Sequence, residues 1–287
     1  MIAFFGTGLL GGNFVRALRR RGEAVQVWNR TADKARALEA VGARAFDTPA
    51  DAARGAARIH LTLSDDAAVD DVLERARAGF APGVVIVDHS TTSPTGTAAR
   101  AERWAERGVA FQHAPLFMGP QNALESTGLM LASGDRARFD ALAAELSKMT
   151  GKLVWLGDQP ERAAGMKLLG NLFLMCFTTG LAEMLALAKA LDIPAGDAAS
   201  LFDTFNPGLT IGARLQRMLA ADFSHPSWEL SMARKDARLM LEEAERAEVP
   251  LAVLPAIARE MDRFIARGHG GDDWVVLAKD ALERPAK

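Results

Sequence analysis

The sequence predicts an α/β fold: a doubly wound, mostly parallel sheet followed by an all-α C-terminal domain. Three observations predict it. Short apolar runs alternate with helical patterns through the first half, a glycine-rich turn joins the first run to the first helix, and the strand pattern stops after Gly157. The runs Ile2–Phe5, Val25–Trp28, 59–63, 84–87, 111–114 and Leu129–Ala132 read as strands. Segments 11–21, 31–41, 67–78 and 95–107 between them have helical spacing, which implies right-handed βαβ crossovers. A further strand at 152–156 follows a helix at 137–149 and closes this domain. Beyond it nearly everything from 160 to 282 is helical in period, broken at Ile193-Pro194, Asn206-Pro207-Gly208, Ser224-His225-Pro226 and Val249-Pro250. The domains are therefore 1–160 and 161–287.

Composition narrows the function classes. With 49% hydrophobic and 24% charged residues in 287, the chain buries a substantial core. A net charge of -2 offers no field for nucleic acid or an anionic membrane surface. The single cysteine, Cys176, fits a reducing, cytoplasmic setting and reads as a small core hydrophobe within Leu172-Phe173-Leu174-Met175-Cys176-Phe177. The uncharged stretch 168–182 falls short of the roughly 20 apolar residues a membrane span needs. The segment 162–191 is long and apolar around much of its circumference, which predicts burial in a helical domain or between subunits of a homodimer or higher homo-oligomer. The five histidines show no metal-ligand spacing, and none is expected to hold a metal.

Gly6-Thr7-Gly8-Leu9-Leu10-Gly11 has the spacing of a Rossmann-type phosphate-binding turn. It follows an N-terminal apolar strand, opens an amphipathic helix and precedes a second strand. Gly6 then makes the tight turn, Gly8 lets the backbone approach a pyrophosphate and Gly11 packs helix against strand. The second strand ends in Asn29-Arg30-Thr31, with no carboxylate to accept from an adenosine ribose. Arg30 suits a 2′-phosphate, with Asn29 and Thr31 as further donors, so NADP(H) is expected in preference to NAD. Leu63 and Ser64, where the third strand runs out, complete the expected cofactor contacts in this half.

Further along come Asp88-His89-Ser90-Thr91-Thr92-Ser93-Pro94, Ala114-Pro115 with Gly119 and Thr127-Gly128-Leu129-Met130, Gly165-Met166-Lys167-Leu168-Leu169-Gly170-Asn171, and Lys235-Asp236. With the glycine turn and Asn-Arg-Thr, these segments resemble the β-hydroxyacid dehydrogenase family, which includes 3-hydroxyisobutyrate dehydrogenase. The likeness is greatest to its glyoxylate and succinic semialdehyde reductase branch and runs from residue 2 to about residue 240. It implies a 6-phosphogluconate dehydrogenase-like C-terminal domain. It also implies NADP-dependent interconversion of a small β- or γ-hydroxyacid and its semialdehyde or keto acid.

Chemistry points to the same residues. Hydride transfer to a carbonyl needs a group to move the hydroxyl proton, and Lys167 in an apolar helix has its pKa lowered by desolvation. Asn171 lies four residues on, on the same helix face. The resemblance likewise makes Lys167 the catalytic lysine and Asn171 its neighbouring amide, catalytic and substrate-binding. It assigns Ser90 and Gly119 to the substrate, and Thr91 and Lys235 to the cofactor. Two departures stand out. Gly170 replaces one asparagine of a usual pair, and Leu116-Phe117-Met118-Gly119-Pro120 replaces a small-residue loop whose backbone N–H groups hold the substrate carboxylate. The resemblance also sets out alternatives: an imine reductase on the same fold, whose members generally lack the lysine, or a non-catalytic NADP(H)-binding sensor.

Overall fold

A computed structural model describes residues 1–283 as two compact units, Met1–Leu172 and Phe173–Lys287, the latter described through residue 283. The first unit runs β1 (Ile2–Phe5), α1 (Leu9–Arg20), β2 (Val25–Trp28), α2 (Ala32–Arg36), β3 (Arg44–Ala45), α3 (Pro49–Ala53), β4 (Arg58–Leu61), α4 (Asp66–Ala76), β5 (Val85–Asp88), α5 (Pro94–Glu106) and β6 (Ala110–His113). It continues with β7 (Leu116–Phe117), α6 (Pro120–Glu125), β8 (Leu129–Ala132), α7 (Arg136–Ser147), β9 (Lys152–Trp155) and the start of α8 (Arg162–Ala190). The first six strands form one parallel sheet in the order β3-β2-β1-β4-β5-β6, the doubly wound arrangement expected.

The strands are apolar on both faces because both are covered. Phe4, Val27 and Val87 pack with Phe14, Val15 and Leu18 of α1 on one side. Phe5, Ile59, Leu61 and Ile86 pack with Val69, Val72 and Leu73 of α4 and with Trp104 of α5 on the other. Each such fully buried large side chain contributes about 1.5–3 kcal/mol.

Three details differ from the sequence reading. Residues 129–132 and 152–155 do not extend the main sheet: β7, β8 and β9 make a separate three-stranded sheet, β7 antiparallel to β8 and β8 parallel to β9. The two-residue β7 and the short β3 have no periodicity to betray them. The compact units part at Leu172, not at residue 160, because the first turns of α8 belong to the first unit. There Ala163 and Ala164 are fully buried, and the Ala163 N–H donates to Ser133 Oγ at 2.9 Å.

The second unit contains the remainder of α8, α9 (Ala195–Thr204), α10 (Ile211–Ala220), α11 (Leu230–Arg246), α12 (Leu254–Phe264) and α13 (Lys279–Leu282), an all-helical composition as expected. Leu230, Ala233, Ala237, Met261, Phe264 and Val276 form its core. The Glu183 carboxylate accepts N–H groups of Ala252 (2.6 Å) and Leu254 (2.9 Å), fixing α8 to the start of α12.

Within one chain α8 is far less covered than expected. Leu172, Phe173, Leu174, Met175 and Phe177 are exposed, and so is Cys176, which is therefore not a core residue of its own chain. Over 29 residues, with an 18-residue window of mean hydropathy 1.5, the helix is long and apolar enough to cross a membrane by length and composition alone. The shorter reading of 168–182 stopped at charges that such a window tolerates.

Candidate active site

The strand order reverses between β1 and β4, and at their carboxyl ends lies a cleft of about 310 Å³. Gly6, Gly8, Asn29, Arg30, Thr31, Leu63 and Ser64, all assigned to the cofactor from the sequence, line it. Gly6 has φ +86°, a left-handed turn favouring glycine, and a Cβ there would strike the Thr62 carbonyl. A Cβ on Gly11 would strike the Gly6 carbonyl and Thr62 Oγ1. Gly8 is different: a Cβ there would meet nothing within 4 Å. It faces open space at the start of α1, where no side chain caps the helix. By contrast α4 and α5 are closed by Asp65, accepting from the Ala68 N–H at 2.8 Å, and by Ser93, accepting from the Gly96 N–H at 3.0 Å. The free N–H groups opening α1, at Leu9 and Leu10, are thus left for an anion.

The Thr7 N–H donates to Asn29 Oδ1 at 2.9 Å, and Asn29 Nδ2 donates to the Thr31 carbonyl at 2.9 Å. Asn29 therefore ties the glycine turn to the end of β2, while Arg30 faces the cleft. Sequence reasoning missed Trp28, Lys34, Thr62 and Arg75 along this cleft. Lys34 was findable, since it is a second cation four residues after Arg30, in the first turn of α2. The Arg75 guanidinium covers the Trp28 ring at 5.3 Å, a pairing only the fold brings together. The residues present fit a dinucleotide: uncapped N–H groups beside a glycine with room above it, and three cations in the lining, Arg30, Lys34 and Arg75, the last paired with Asp71 at 3.2 Å.

Ser90 is buried behind this region. Its Oγ accepts the Leu63 N–H at 2.9 Å and its own N–H donates to Asp88 Oδ1 at 2.9 Å. The neighbouring Thr91 is exposed. The segment is anchored from below: fully buried Arg100 of α5 pairs with Asp70 (2.7 Å) and Asp66 (2.9 Å), and Asp66 accepts the Ser93 N–H at 2.8 Å. Asp88 is wholly buried with His113 3.6 Å away, and burial opposes its ionisation. The His113 contact and the hydrogen bonds from Ser90 prevail and hold its carboxyl below the usual range.

Under α1 lies a stack of Phe14, His89, His60 and Phe4. The Ala114 carbonyl can only accept, so His89 Nδ1–H donates to it at 2.8 Å. His89 Nε2 must then accept from His60 Nδ1–H at 2.9 Å. His60 Nε2 is left a buried acceptor with no partner among the described residues. Burial pushes His89 down to about 4 and His60 well below its ordinary value. Both histidines are core residues, not surface ones.

Lys167 stands on the second turn of α8, and Gly165 lies 4.0 Å from Pro94 when measured to its would-be Cβ, so this turn abuts the Ser90–Pro94 segment. The lysine is 9% exposed, and desolvation lowers its pKa. Among the described residues it makes no ion pair; its Nζ rests 4.1 Å from the centre of the Phe117 ring. Asn171 is half-buried one turn on. The Gly119 N–H is spent on Asn122 Oδ1 at 2.8 Å. Lys235 lies on α11 in the second unit, paired with Asp236 at 2.8 Å.

Residues 1–157 match the NAD-binding domain of 6-phosphogluconate dehydrogenase, which bears out the resemblance read from the sequence. The human cytokine-like nuclear factor N-PAC is 29% identical over 279 residues, 95% of this chain and 50% of that one. The chain thus spans about half the length of these curated relatives. The 3-sulfolactaldehyde reductase of Escherichia coli K12 is 26% identical over 281 residues, covering 96% and 94%. Among solved structures, the Streptomyces aurantiacus imine reductase has a TM-score of 0.88 at 28% identity, covering 98% and 99%. An imine reductase from Myxococcus stipitatus in complex with NADP+ reaches 0.91 at 20% identity, covering 97% and 99%, a likeness of fold alone.

Proposed function

The chain belongs to the 6-phosphogluconate dehydrogenase family of NAD-binding domains, and from that premise we propose an NADP(H)-dependent oxidoreductase that interconverts a small aldehyde or ketone and its alcohol. One observation carries the reading: Lys167 is buried in the cofactor-binding unit with no carboxylate partner among the described residues. A lysine kept for structure alone is normally paired when buried, because an unpaired buried ammonium is costly. Desolvation lowers the Lys167 pKa, the direction that makes its ammonium a readier proton donor.

Bound at the cleft, the nicotinamide cofactor supplies or takes the hydride. The N–H groups opening α1 hold its diphosphate. Arg30 and Lys34 meet a 2′-phosphate, which favours NADP(H) over NAD. In the reducing direction Lys167 gives its Nζ proton to the carbonyl oxygen, and Asn171 orients the substrate from the next turn of the same helix. A second reading is favoured by the 28% identity to the Streptomyces aurantiacus imine reductase: the same lysine handing its proton to a C=N nitrogen.

The test is NADPH oxidation followed at 340 nm against a panel of aldehydes, ketones and a cyclic imine. Lys167→Met lowers kcat by about 10²–10⁴-fold while the Kd for NADPH stays as in the wild type. Unchanged turnover in that variant would remove Lys167 from the mechanism. The substrate that turns over decides between C=O and C=N.

A further inference from the structure

The two departures that the sequence presents separately, an aromatic residue at 117 and a glycine at 170, meet in space. Phe117, in β7, lays its ring against α8 at Gly170, and a Cβ on residue 170 would overlap that ring. Gly170 lies inside a continuous helix and is not among the glycines with positive φ, so its backbone does not demand glycine. Glycine in such a place weakens a helix relative to alanine. Only the space taken by Phe117 accounts for it. The same ring carries the Lys167 ammonium on its face.

The loop that continues from Phe117 has little to offer an anion. The Gly119 N–H is donated to Asn122, Pro120 has none, and Asn122 is itself held by Thr127 Oγ1 at 3.0 Å. Met118 turns its side chain onto Gly128, where a Cβ would crowd it at 2.8 Å. The wall beside Lys167 is thus the aromatic face of Phe117, with the Gly119 N–H beyond it engaged and Pro120 without one.

We infer that Phe117 and Gly170 act as one specificity element, selecting aldehydes, ketones or imines with an apolar substituent over those carrying a carboxylate. This rests on the proposed reductase reading, in which Lys167 marks the reacting end. A carboxylate pressed against the Phe117 ring loses its hydration and gains no donor from the ring or from the Gly119 N–H, and pairing with Lys167 would take the proton donor away from the reacting end; an alkyl or aryl group loses nothing. A polar side chain cannot be restored at 170 while Phe117 remains, so exchanging the selectivity takes both positions.

The experiment compares two substrates of equal chain length, butanal and succinic semialdehyde, by kcat/KM with NADPH. The wild type favours butanal by at least about tenfold, and F117S/G170N shifts the ratio toward succinic semialdehyde by about tenfold or more. Wild-type preference for succinic semialdehyde would overturn the inference and leave the reductase reading intact. Failure to oxidise NADPH with these two and with every other carbonyl or imine offered would overturn the reading itself, and the inference with it. The coupling has a readout independent of turnover. G170A lowers Tm, and F117A/G170A recovers most of that loss relative to F117A; strictly additive effects would show that the two residues do not form one element.

Discussion

The turn at residues 6–11 and the wall at residues 117 and 170 both rely on glycine, but they are excluded from side chains by different things. At Gly6 and Gly11 the obstacle is mainly backbone, the carbonyls of Thr62 and Gly6. At Gly170 it is the ring of one particular side chain. A backbone obstacle belongs to the βαβ crossover and recurs at fixed spacing, whatever the rest of the sequence does. A side-chain obstacle is a private arrangement between two positions 53 residues apart, since 170 minus 117 is 53.

The largest expected effect sharpens that contrast within the turn itself. Gly11→Ala drives a methyl into atoms that cannot move aside, costing about 3 kcal/mol by the usual scale of overpacking. Gly8→Ala has room above it and leaves Tm within a degree or two, yet weakens NADPH binding by the approach it blocks. Thermal melts and NADPH titrations on the two variants should separate cleanly. Equal loss of stability in both would break the distinction between packing glycine and ligand-facing glycine.

The next effect concerns the His60–His89 stack beneath α1. Both imidazoles are held neutral in the fold, whereas an unfolded chain protonates histidine near pH 6.5. The unfolded state therefore binds more protons below that pH. The contribution is complete above 6.5 and is lost as the pH falls toward about 4, the value to which His89 is pushed. Between pH 7.5 and 5.5 the pair should take about 2.7 kcal/mol from the stability. Denaturant melts at the two pH values measure this, and His89→Gln should flatten the dependence. A wild-type stability flat across this interval would mean that the stack is not neutral.

The smallest of the three lies at the adenosine end of the cleft. Arg30→Ala should reduce the preference for NADPH over NADH about tenfold, some 1.4 kcal/mol, with turnover at saturating cofactor little altered. An unaltered ratio of kcat/KM values would place the 2′-phosphate on Lys34 alone.

How much could be read without coordinates follows the same division. Gly6, Gly8, Gly11 and the Asn29-Arg30-Thr31 strand end were legible because their geometry is local and repeats with the fold. Lys167 was legible as a charge inside an apolar helix. Its neighbour was not: Leu116–Phe117 is two residues long and sits between Pro115 and Pro120, so no alternation marks it as a strand. The second sheet went unseen for a related reason, since Leu129–Ala132 and Lys152–Trp155 look like any buried strands and their partners depend on β7. Cys176 illustrates the remaining gap. An apolar run announces that a surface is to be covered, but not whether its own chain covers it.

The Thr7–Asn29 bond has a consequence for anyone wishing to redesign cofactor choice. The obvious edit, an aspartate at 29 to welcome a bare ribose, keeps an oxygen for the Thr7 N–H. It also deletes the donor to Thr31 and sets two acceptors against each other. The grip on the diphosphate and the selection of the ribose are thus geared together through one amide. Retooling one end of the cofactor cleft without re-engineering the other would strip that gear.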